Sequence, residues 1–338
     1  MFVKILFLVV FFAIMITVGF ICKKKNESVH GFVLGGRNVG PWLTAFAYGT
    51  SYFSAVIFIG YAGQFGWKYG VSSTWIGIGN ALIGSLLAWV ILGRRTRLMT
   101  QHLSSATMPE FFSKRFDSSS MKLAASAIVF VFLIPYTASL YNGLSRLFES
   151  AFHIDYMWCV IIMSVFTGIY VIAGGYMATA VNDFIQGIIM LVGIVIVIAA
   201  VLKQNGGFGE ALRTLSQITA ETNPGLSGAF TSFFGPEPLA LFGVVILTSL
   251  GTWGLPQMVG KFYAIKSESA VSKGTLISTL FAFVVAGGCY FMGGFGRLYA
   301  DKIAFSESGK PVYDSIIPAM LDTLPDVIVA IVIMLVLS

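Results

Sequence analysis

The chain has 338 residues, of which 57% are hydrophobic and 11% charged, and its mean hydropathy is +0.85. This balance lies outside the range of soluble globular domains and indicates a membrane protein that crosses the lipid bilayer several times. The net charge of +6 does not indicate nucleic acid binding, because the basic residues stand in short clusters between apolar runs, as topology determinants do. The cysteines Cys22, Cys159 and Cys289 are far apart in apolar runs and match no disulfide or metal-site spacing.

The first apolar run, Ile5 to Cys22, predicts a membrane span. Its basic cluster, Lys23 to Lys25, follows the run, whereas a cleaved signal peptide carries its positive charge before the run. We therefore expect a retained helix in the cell membrane with its N-terminus outside. Further apolar runs predict seven complete spans and one unfinished span, at Pro41–Gly66, Val71–Leu92, Leu123–Leu144, Met157–Ala173, Phe184–Leu202, Leu239–Met258, Thr275–Phe295 and from Val327.

The run that begins at Pro41 is too long for one plain helix. Thirty residues between Arg37 and Lys68 carry no charge, which is roughly 45 Å of helix against a hydrocarbon core of about 30 Å. Its middle, Tyr48 to Ser54, is crowded with hydroxyl groups and holds a glycine. This composition predicts a helix break at membrane depth, where transporters bind ions and substrates. The alternative is an unbroken helix whose small and hydroxyl residues allow close packing.

A second uncharged run, from Pro238 to Gly260, contains the sequence GTWGLP between Gly251 and Pro256. Two glycines and a proline weaken a helix, so a second break is predicted here. The two broken helices lie five spans apart and cross the bilayer in opposite directions. That arrangement is typical of an inverted repeat of five helices.

The distribution of basic residues favours an N-terminus outside the cell. In that orientation the inside segments hold thirteen of the twenty-one basic residues: Lys23, Lys24, Lys25, Arg37, Arg94, Arg95, Arg97, Lys114, Arg115, Lys122, Lys261, Lys266 and Lys273. The long outside connections, Lys203 to Pro238 and Arg297 to Pro325, are too short for domains and are expected to form partly ordered caps.

Several local motifs follow one another in the order of a known family. They are FVLGGR (32–37), TSYFSAVIFIGYAG (50–63), Arg97, TMPEFF (107–112) with KRF (114–116), YVIAGGYMA (170–178) with NDFIQ (182–186), and GLPQ (254–257) with Lys261 and Phe262. Over nearly the whole chain they resemble the sodium/solute symporters, relatives of the sodium/proline and sodium/sialic acid symporters and the sodium/glucose transporters. Two residues depart from that pattern: Tyr176 stands where Leu, Met or Phe is usual, and Leu255 interrupts a Gly-Gln-Pro stretch.

The resemblance implies an all-α membrane protein of the leucine-transporter type, made of two inverted five-helix repeats. Within a single membrane domain, residues 1–22 would form an extra N-terminal helix, residues 40–203 the first repeat and residues 237–338 part of the second. Sodium would be the coupling ion, bound by the backbone carbonyls of Thr50 and Phe53 together with hydroxyls of the eighth core helix. An unbroken helix at Thr50 and Phe53 is the alternative.

Asp183 is the only acidic residue between Asp155 and Glu210. Ionisable groups near the membrane interior mark ion paths, and the family places an aspartate here on the sodium route or in a second sodium site. The alternative is an ordinary helix cap, since an N-terminal aspartate satisfies free amides and the positive end of a helix.

The resemblance places the solute site between the first, second, third and sixth core helices. The candidate liners are polar or aromatic residues, each with ordinary helix packing as the alternative: Tyr48, Ser51, Tyr52, Ser54, Gln64, Asn80, Tyr136, Asn142 and Trp253. Residues 75–116 are similar to the proline-carrying relatives, which favours a small amino acid such as proline. Tyr52 stands where some amino-acid-carrying relatives have an aspartate, so a sugar, a vitamin or another organic solute remains the alternative. The third core helix has no arginine to grip sialic acid.

Two other function classes fit the sequence less well than a sodium-coupled symporter. An enzyme needs clustered reactive side chains, and the histidines His30, His102 and His153 are isolated. A channel needs a charged or carbonyl-lined selectivity ring, which the sequence does not offer.

The last apolar run, Val327 to Ser338, stops after twelve residues, short of the roughly twenty that cross a bilayer. In the family that the chain resembles, this helix continues and supplies hydroxyl ligands to sodium. We therefore expect residues 1–338 to be a C-terminally truncated chain that has no saturable sodium binding of its own, because a hard cation needs several oxygen ligands.

Overall fold

The computed structural model describes residues 2–23, 29–222, 225–307 and 309–337, and these ranges are built almost entirely from helices. The only extended pairings within them are two isolated bridges, Val39 with Ile265 and Phe305 with Pro311. The predicted all-α class is therefore confirmed. Lys24 and Lys25 of the predicted basic cluster, and Ser338 in the last predicted run, lie outside the described residues.

Long helices form most of the bundle. They are Phe2–Lys23, Ser119–Phe152, Tyr156–Gln204 and Glu268–Gly293, and shorter ones are Val29–Leu34, Met108–Phe116, Phe208–Ser216, Ile316–Asp322 and Asp326–Val336. Among the described residues, five helical stretches are long and apolar enough to cross a membrane, or six if one bent pair counts as a single span. A break divides the predicted span Pro41–Gly66, and the predicted span Met157–Ala173 lies within the first part of the helix Tyr156–Gln204.

The first broken helix consists of Pro41–Tyr52 and a second half over residues 56–69, in which Val56–Tyr61 forms a wide π-helical turn before Ala62–Tyr69. Gly70 then turns the chain with a positive φ of 64°, a conformation that favours glycine. The second core helix follows as Thr74–Gly79, Asn80–Leu87, Trp89–Gly93 and Arg94–His102 in succession.

The helix Tyr156–Gln204 is kinked at Gly175, where φ is 56° and ψ is −158°. The sequence predicted two spans separated by ten residues; the structure has two helical segments here, but the interruption between them is confined to Gly175. One glycine absorbs the change of direction because it reaches positive φ without strain, so the residues on both sides stay helical.

The two long connections are partly ordered, as predicted. The first contains the helix Phe208–Ser216, and the second contains the helix Ile316–Asp322. Arg297 links the second connection to the bundle, because its Nε donates to the Trp67 carbonyl at 2.7 Å and its guanidinium lies 4.0 Å from the centre of the Phe230 ring.

One end of the bundle carries a group of basic residues, which we call the basic end. The Arg37 guanidinium donates to the Ser105 carbonyl at 2.6 Å, and that of Arg97 donates to the Lys266 carbonyl at 2.7 Å. The Lys266 amide in turn donates to the Val39 carbonyl at 3.0 Å. These bonds tie the chain before the first broken helix to the segments that follow the second core helix and the residues near 264.

The helix Glu268–Gly293 lies in the middle and packs against the first broken helix and the second core helix. Glycines allow the closest approaches: a Cβ on Gly66 would collide with the Gly293 backbone, and one on Gly77 would meet Ala286. Helices in membranes associate through such small residues, because lipid offers no hydrophobic drive between them.

We predict that Gly66→Ala destabilises the fold by about 1–3 kcal/mol, because the new methyl group overlaps a backbone that cannot move away cheaply. Thermal unfolding of the purified protein in detergent measures the effect. Gly243→Ala is the matched control, since a Cβ there meets nothing within 4 Å and alanine favours the helix. Equal stability of the two variants would contradict the close packing.

Candidate functional site

The first half of the first broken helix ends at Tyr52, inside the stretch where the sequence predicted a break. Phe53 has φ −101° and ψ 59°, outside the helical region. The Ile57 amide, which would donate to the Phe53 carbonyl in a regular helix, donates to the Ser54 carbonyl at 3.0 Å. The Phe53 carbonyl is therefore released from the helical ladder and is available as an oxygen ligand.

The second broken helix consists of Pro238–Leu250, a tight turn at Gly251–Gly254, and Pro256–Ala264. Its halves meet at an angle of 52°. Leu255 is extended, and Pro256 has no amide hydrogen, so it suits the first position of the new half. The predicted second break is confirmed.

The two breaks are in contact with each other. The Tyr52 hydroxyl donates to the Thr248 carbonyl at 2.9 Å, across from the first broken helix to the second. Next to it the Tyr48 hydroxyl donates to the Gly84 carbonyl at 3.0 Å, which binds the same half-helix to the second core helix. Tyr48 therefore has a structural partner, and it does not line the space between the breaks.

A cavity of about 440 Å³, which we call the central cavity, lies between the two breaks. Its walls come from the first broken helix, the helix Ser119–Phe152 and the second broken helix. The lining residues are Ser51, Tyr52, Ser54, Val56, Ile57, Tyr61, Gln64, Phe65, Tyr136, Ser139, Leu247, Thr248, Gly251, Thr252, Leu255 and Met258. Apolar side chains with a few converging hydroxyls and an amide are typical of small-molecule sites, which have volumes of roughly 300–1,000 Å³.

Five of the predicted solute residues line this cavity together: Ser51, Tyr52, Ser54, Gln64 and Tyr136. The sequence did not single out Tyr61, Phe65 or Ser139, nor Thr248 and Thr252 of the second broken helix. Tyr61 lies one helical turn before the predicted liner Gln64, and Ser139 lies one turn beyond the predicted liner Tyr136. Helical spacing from the predicted liners could therefore have found these two.

The remaining three predicted liners lie elsewhere. Asn80 is buried behind the wall, where its Oδ1 accepts from the hydroxyls of Thr248 at 3.0 Å and Ser249 at 3.1 Å. The Trp253 indole donates to the Ile83 carbonyl at 3.1 Å, so it packs on the second core helix. Asn142 is part of a different cavity. These three residues therefore do not line the central cavity, since the rotation of each helix decides which side chains face it and cannot be read from the sequence.

Asp183 lies inside the helix Tyr156–Gln204, eight residues beyond the Gly175 kink. The alternative of an N-cap aspartate is therefore wrong. Its Oδ2 is 3.3 Å from Nζ of Lys261, and the side chains are only 17% and 10% exposed. Thr50 of the first broken helix adjoins the same carboxylate. Asp183 thus joins three helices, two of which are halves of the broken pair.

Further polar groups near Asp183 are buried. Both polar side-chain atoms of Asn182, and the hydroxyl of Tyr176, have no hydrogen-bond partner among the described residues. The Lys261 ammonium lies 5.4 Å from the centre of the Tyr176 ring. An amide oxygen and a carboxylate are each the kind of oxygen donor that suits a hard cation.

The comparisons with known proteins agree with these observations. A profile of the sodium:solute symporter family matches residues 32–337. The chain belongs to this family. It is a family of transporters rather than enzymes, with sodium as the coupling ion, a small-molecule solute as partner, and a location in the membrane.

Curated relatives in this family include proline carriers. The chain is 29% identical over 296 residues to the osmoregulated proline transporter OpuE of Bacillus subtilis (strain 168), covering 87% of this chain and 58% of the relative. It is 32% identical over 273 residues to sodium/proline symporter 2 of Staphylococcus saprophyticus, covering 79% of this chain and 51% of the relative. The chain therefore spans about half the length of the curated relatives that it matches.

A solved structure, the substrate-bound outward-open state of a sodium-coupled sialic acid symporter, superimposes with a TM-score of 0.78. It covers 100% of this chain and 70% of that one, at 17% sequence identity. At this identity the likeness concerns the fold alone, and it confirms the predicted leucine-transporter type.

We predict that Asp183→Asn and Lys261→Gln each lower the free energy of unfolding by about 3 kcal/mol, because each leaves a buried charge without its partner. The double variant should lose clearly less than the sum, with a coupling of about 1–3 kcal/mol. Chemical unfolding in detergent measures all four forms. The exposed pair Arg213 and Glu210, 3.0 Å apart, is the control and should couple by less than about 1 kcal/mol. Additive losses at Asp183 and Lys261 would contradict a coupled pair.

Proposed function

We propose that this protein is a sodium-coupled symporter that imports a small organic solute by alternating access, with the central cavity as its solute site. The observation that carries the proposal is the position of the cavity between two broken helices, one of which has a carbonyl released from helical bonding. A break at membrane depth is costly unless a ligand, water or protein group satisfies the freed backbone. Sodium at the Thr50 and Phe53 carbonyls, and solute beside them, would do so.

The lining of the central cavity bears on the class of solute. None of its sixteen lining residues, all in the described part of the chain, carries an ionisable acid or base of the Asp, Glu, Lys, Arg or His type. The half-helices 56–69 and Pro256–Ala264 both begin at this cavity, and helix N-termini carry partial positive charge. These features suit a carboxylate whose charge is balanced by helix ends and sodium. We therefore propose a small amino acid or imino acid, and the proline carriers among the relatives support proline.

Asp183 is proposed to lie on the sodium route. It stands beside Thr50 and is neutralised by Lys261, so a cation that leaves the first break meets a carboxylate with a flexible partner. A buried carboxylate near an ion path is costly, and function is the usual reason for one.

The orientation with the N-terminus outside is also proposed. It is supported by the basic end, where Arg37, Arg97 and Lys266 meet, because basic residues concentrate on the cytoplasmic side of membrane proteins. Lys4 lies elsewhere, 3.1 Å from Asp326 at the start of the last helix. The division into repeats at residues 40–203 and 237–338 is part of the same proposal.

We predict that proteoliposomes of the protein, as the cell makes it, accumulate L-proline or a related amino acid when sodium is higher outside, and stop when the gradient is collapsed. Radiolabelled uptake measures this directly. Conductance without saturation would contradict a symporter and favour a channel, and saturable uptake that ignores sodium would contradict the coupling ion.

Two variants locate the site in the same assay. Ser54→Trp fills the central cavity and should abolish uptake, whereas Ser164→Trp, on an exposed helix face, should retain it.

Asp183→Asn should raise the sodium concentration for half-maximal uptake, because it removes the negative charge from the proposed route. Unchanged sodium dependence would remove Asp183 from that route.

A further inference from the structure

An apolar pocket of about 310 Å³, which we call the side pocket, adjoins the central cavity. Tyr136 and Leu255 belong to the linings of both. The walls of the side pocket are the short helix Met108–Phe116, the helix Ser119–Phe152 and the turn of the second broken helix. The lining residues are Met108, Phe112, Ala125, Ile128, Val129, Phe132, Leu133, Tyr136, Gly254, Leu255 and Pro256.

The side pocket suits a hydrocarbon chain rather than a polar solute. None of its lining side chains carries a charge, and the Tyr136 hydroxyl is the only polar side-chain group among them. Ile128 is 59% exposed and Phe132 is 69% exposed, so the pocket is open along the surface of a helix that is apolar enough to cross a membrane. A polar solute would lose its hydration here without finding hydrogen-bond partners, whereas a lipid tail would not.

The length of the side pocket matches one leaflet of a bilayer. Its lining residues on the helix Ser119–Phe152 recur at helical spacing from Ala125 to Tyr136 and therefore form one stripe along the helix. The eleven steps between these two residues, at 1.5 Å each, give roughly 16 Å, and half of a hydrocarbon core of about 30 Å is about 15 Å. An acyl chain that lies along this stripe therefore extends from the membrane surface to the second break.

Two basic residues stand at the outer end of the stripe. Lys122 precedes Ala125 by three residues on the same helix face, and it lies close enough to Glu110 of the short helix to act on its carboxylate. On the short helix, Arg115 follows Phe112 by three residues. Both basic residues are exposed, and neither forms an ion pair within the residues that the structure describes. The mouth of an apolar slot thus carries cations, which is the arrangement that attracts an anionic lipid headgroup.

The acidic residues beside this mouth are placed differently. Glu110 is already held, because its carboxylate pairs with Lys114 at 2.7 Å and accepts from the Ala106 amide at 2.7 Å. Asp117 stands in the left-handed turn between the two helices and does not line the pocket. Lys114 also donates to the Ser104 carbonyl at 2.8 Å and so fastens the short helix to the basic end. The two basic side chains at the mouth are therefore the ones open to an external anion.

We propose that the side pocket binds an anionic phospholipid, with the headgroup phosphate at Arg115 and Lys122 and one acyl chain along the stripe as far as Leu255 and Pro256. The bound chain supports the turn of the second broken helix, which is also a wall of the central cavity. A second copy of this chain is a poorer occupant, because a symmetric contact would bring the same basic side chains together. The lipid site does not depend on the proposed transport activity.

Native mass spectrometry of the purified protein, as the cell makes it, tests the proposal. The detergent micelles hold equal amounts of palmitoyl-oleoyl phosphatidylglycerol and palmitoyl-oleoyl phosphatidylcholine, which share their acyl chains and differ in charge. We expect the wild type to retain phosphatidylglycerol in preference. Arg115→Gln and Lys122→Gln should each lower that preference by about fivefold, the effect of one basic residue near an anionic lipid surface. Val129→Trp fills the pocket and should lower the retention of phosphatidylglycerol although both basic residues remain.

Lys203→Gln is the matched control. Lys203 is also exposed and forms no ion pair within the described ranges, but it lies in the last turn of the helix Tyr156–Gln204 and outside the pocket lining. Its loss should leave the lipid preference unchanged. Equal retention of the two lipids by the wild type, or a preference that Arg115→Gln, Lys122→Gln and Val129→Trp leave unchanged, would overturn the proposal. Dimerisation that removes the bound lipid would overturn it as well, since a second copy would then be the occupant.

Discussion

The structure depends on how two interrupted helices are satisfied at membrane depth. Lipid offers no hydrogen bonds, so backbone groups freed by a break must find partners inside the protein or bind a ligand. The fold meets part of this need with tyrosines: Tyr52 donates to Thr248 and thereby ties the second break to the first. The Ile57 amide is satisfied locally by the Ser54 carbonyl. The Phe53 carbonyl, beside the central cavity, is left without a helical hydrogen bond. This free carbonyl is the basis of the proposed ion site.

Close packing holds the halves of the first broken helix in place on both sides of the break. Gly66 approaches Gly293 so closely that no side chain fits between them, and the central helix Glu268–Gly293 thereby holds the outer half of the first broken helix. On the other half, Asp183 and Lys261 place a buried ion pair among three helices. Such a pair adds little net stability, because both groups lose their hydration. Its value lies in joining helices that must separate if the protein alternates between two open states.

Both helix breaks could be predicted from the sequence, because each apolar run contains residues that are unusual in a plain membrane-spanning helix. The hydroxyls between Tyr48 and Ser54, and the glycines and proline between Gly251 and Pro256, correctly marked both breaks. The side chains nearest a break, such as Ser54, line the central cavity, because their position is set by the break itself. The alternative of a cap at Asp183 was wrong, because the interruption lies at Gly175 and Asp183 is inside the helical segment that follows it. Asn142 does not line the central cavity, because its position depends on the rotation of a long helix.

The central claim is that ion and solute bind at the first break. Its most direct test is Ser51→Cys in the protein as the cell makes it, labelled with a membrane-impermeant thiol reagent, because Ser51 lines the central cavity and is partly exposed, whereas Cys22, Cys159 and Cys289 are buried. Labelling without ligands, and strong protection by sodium together with L-proline but not by potassium with L-proline, is the predicted result. Labelling at the same rate in both salts, with solute present, would place the site away from the break and contradict the claim.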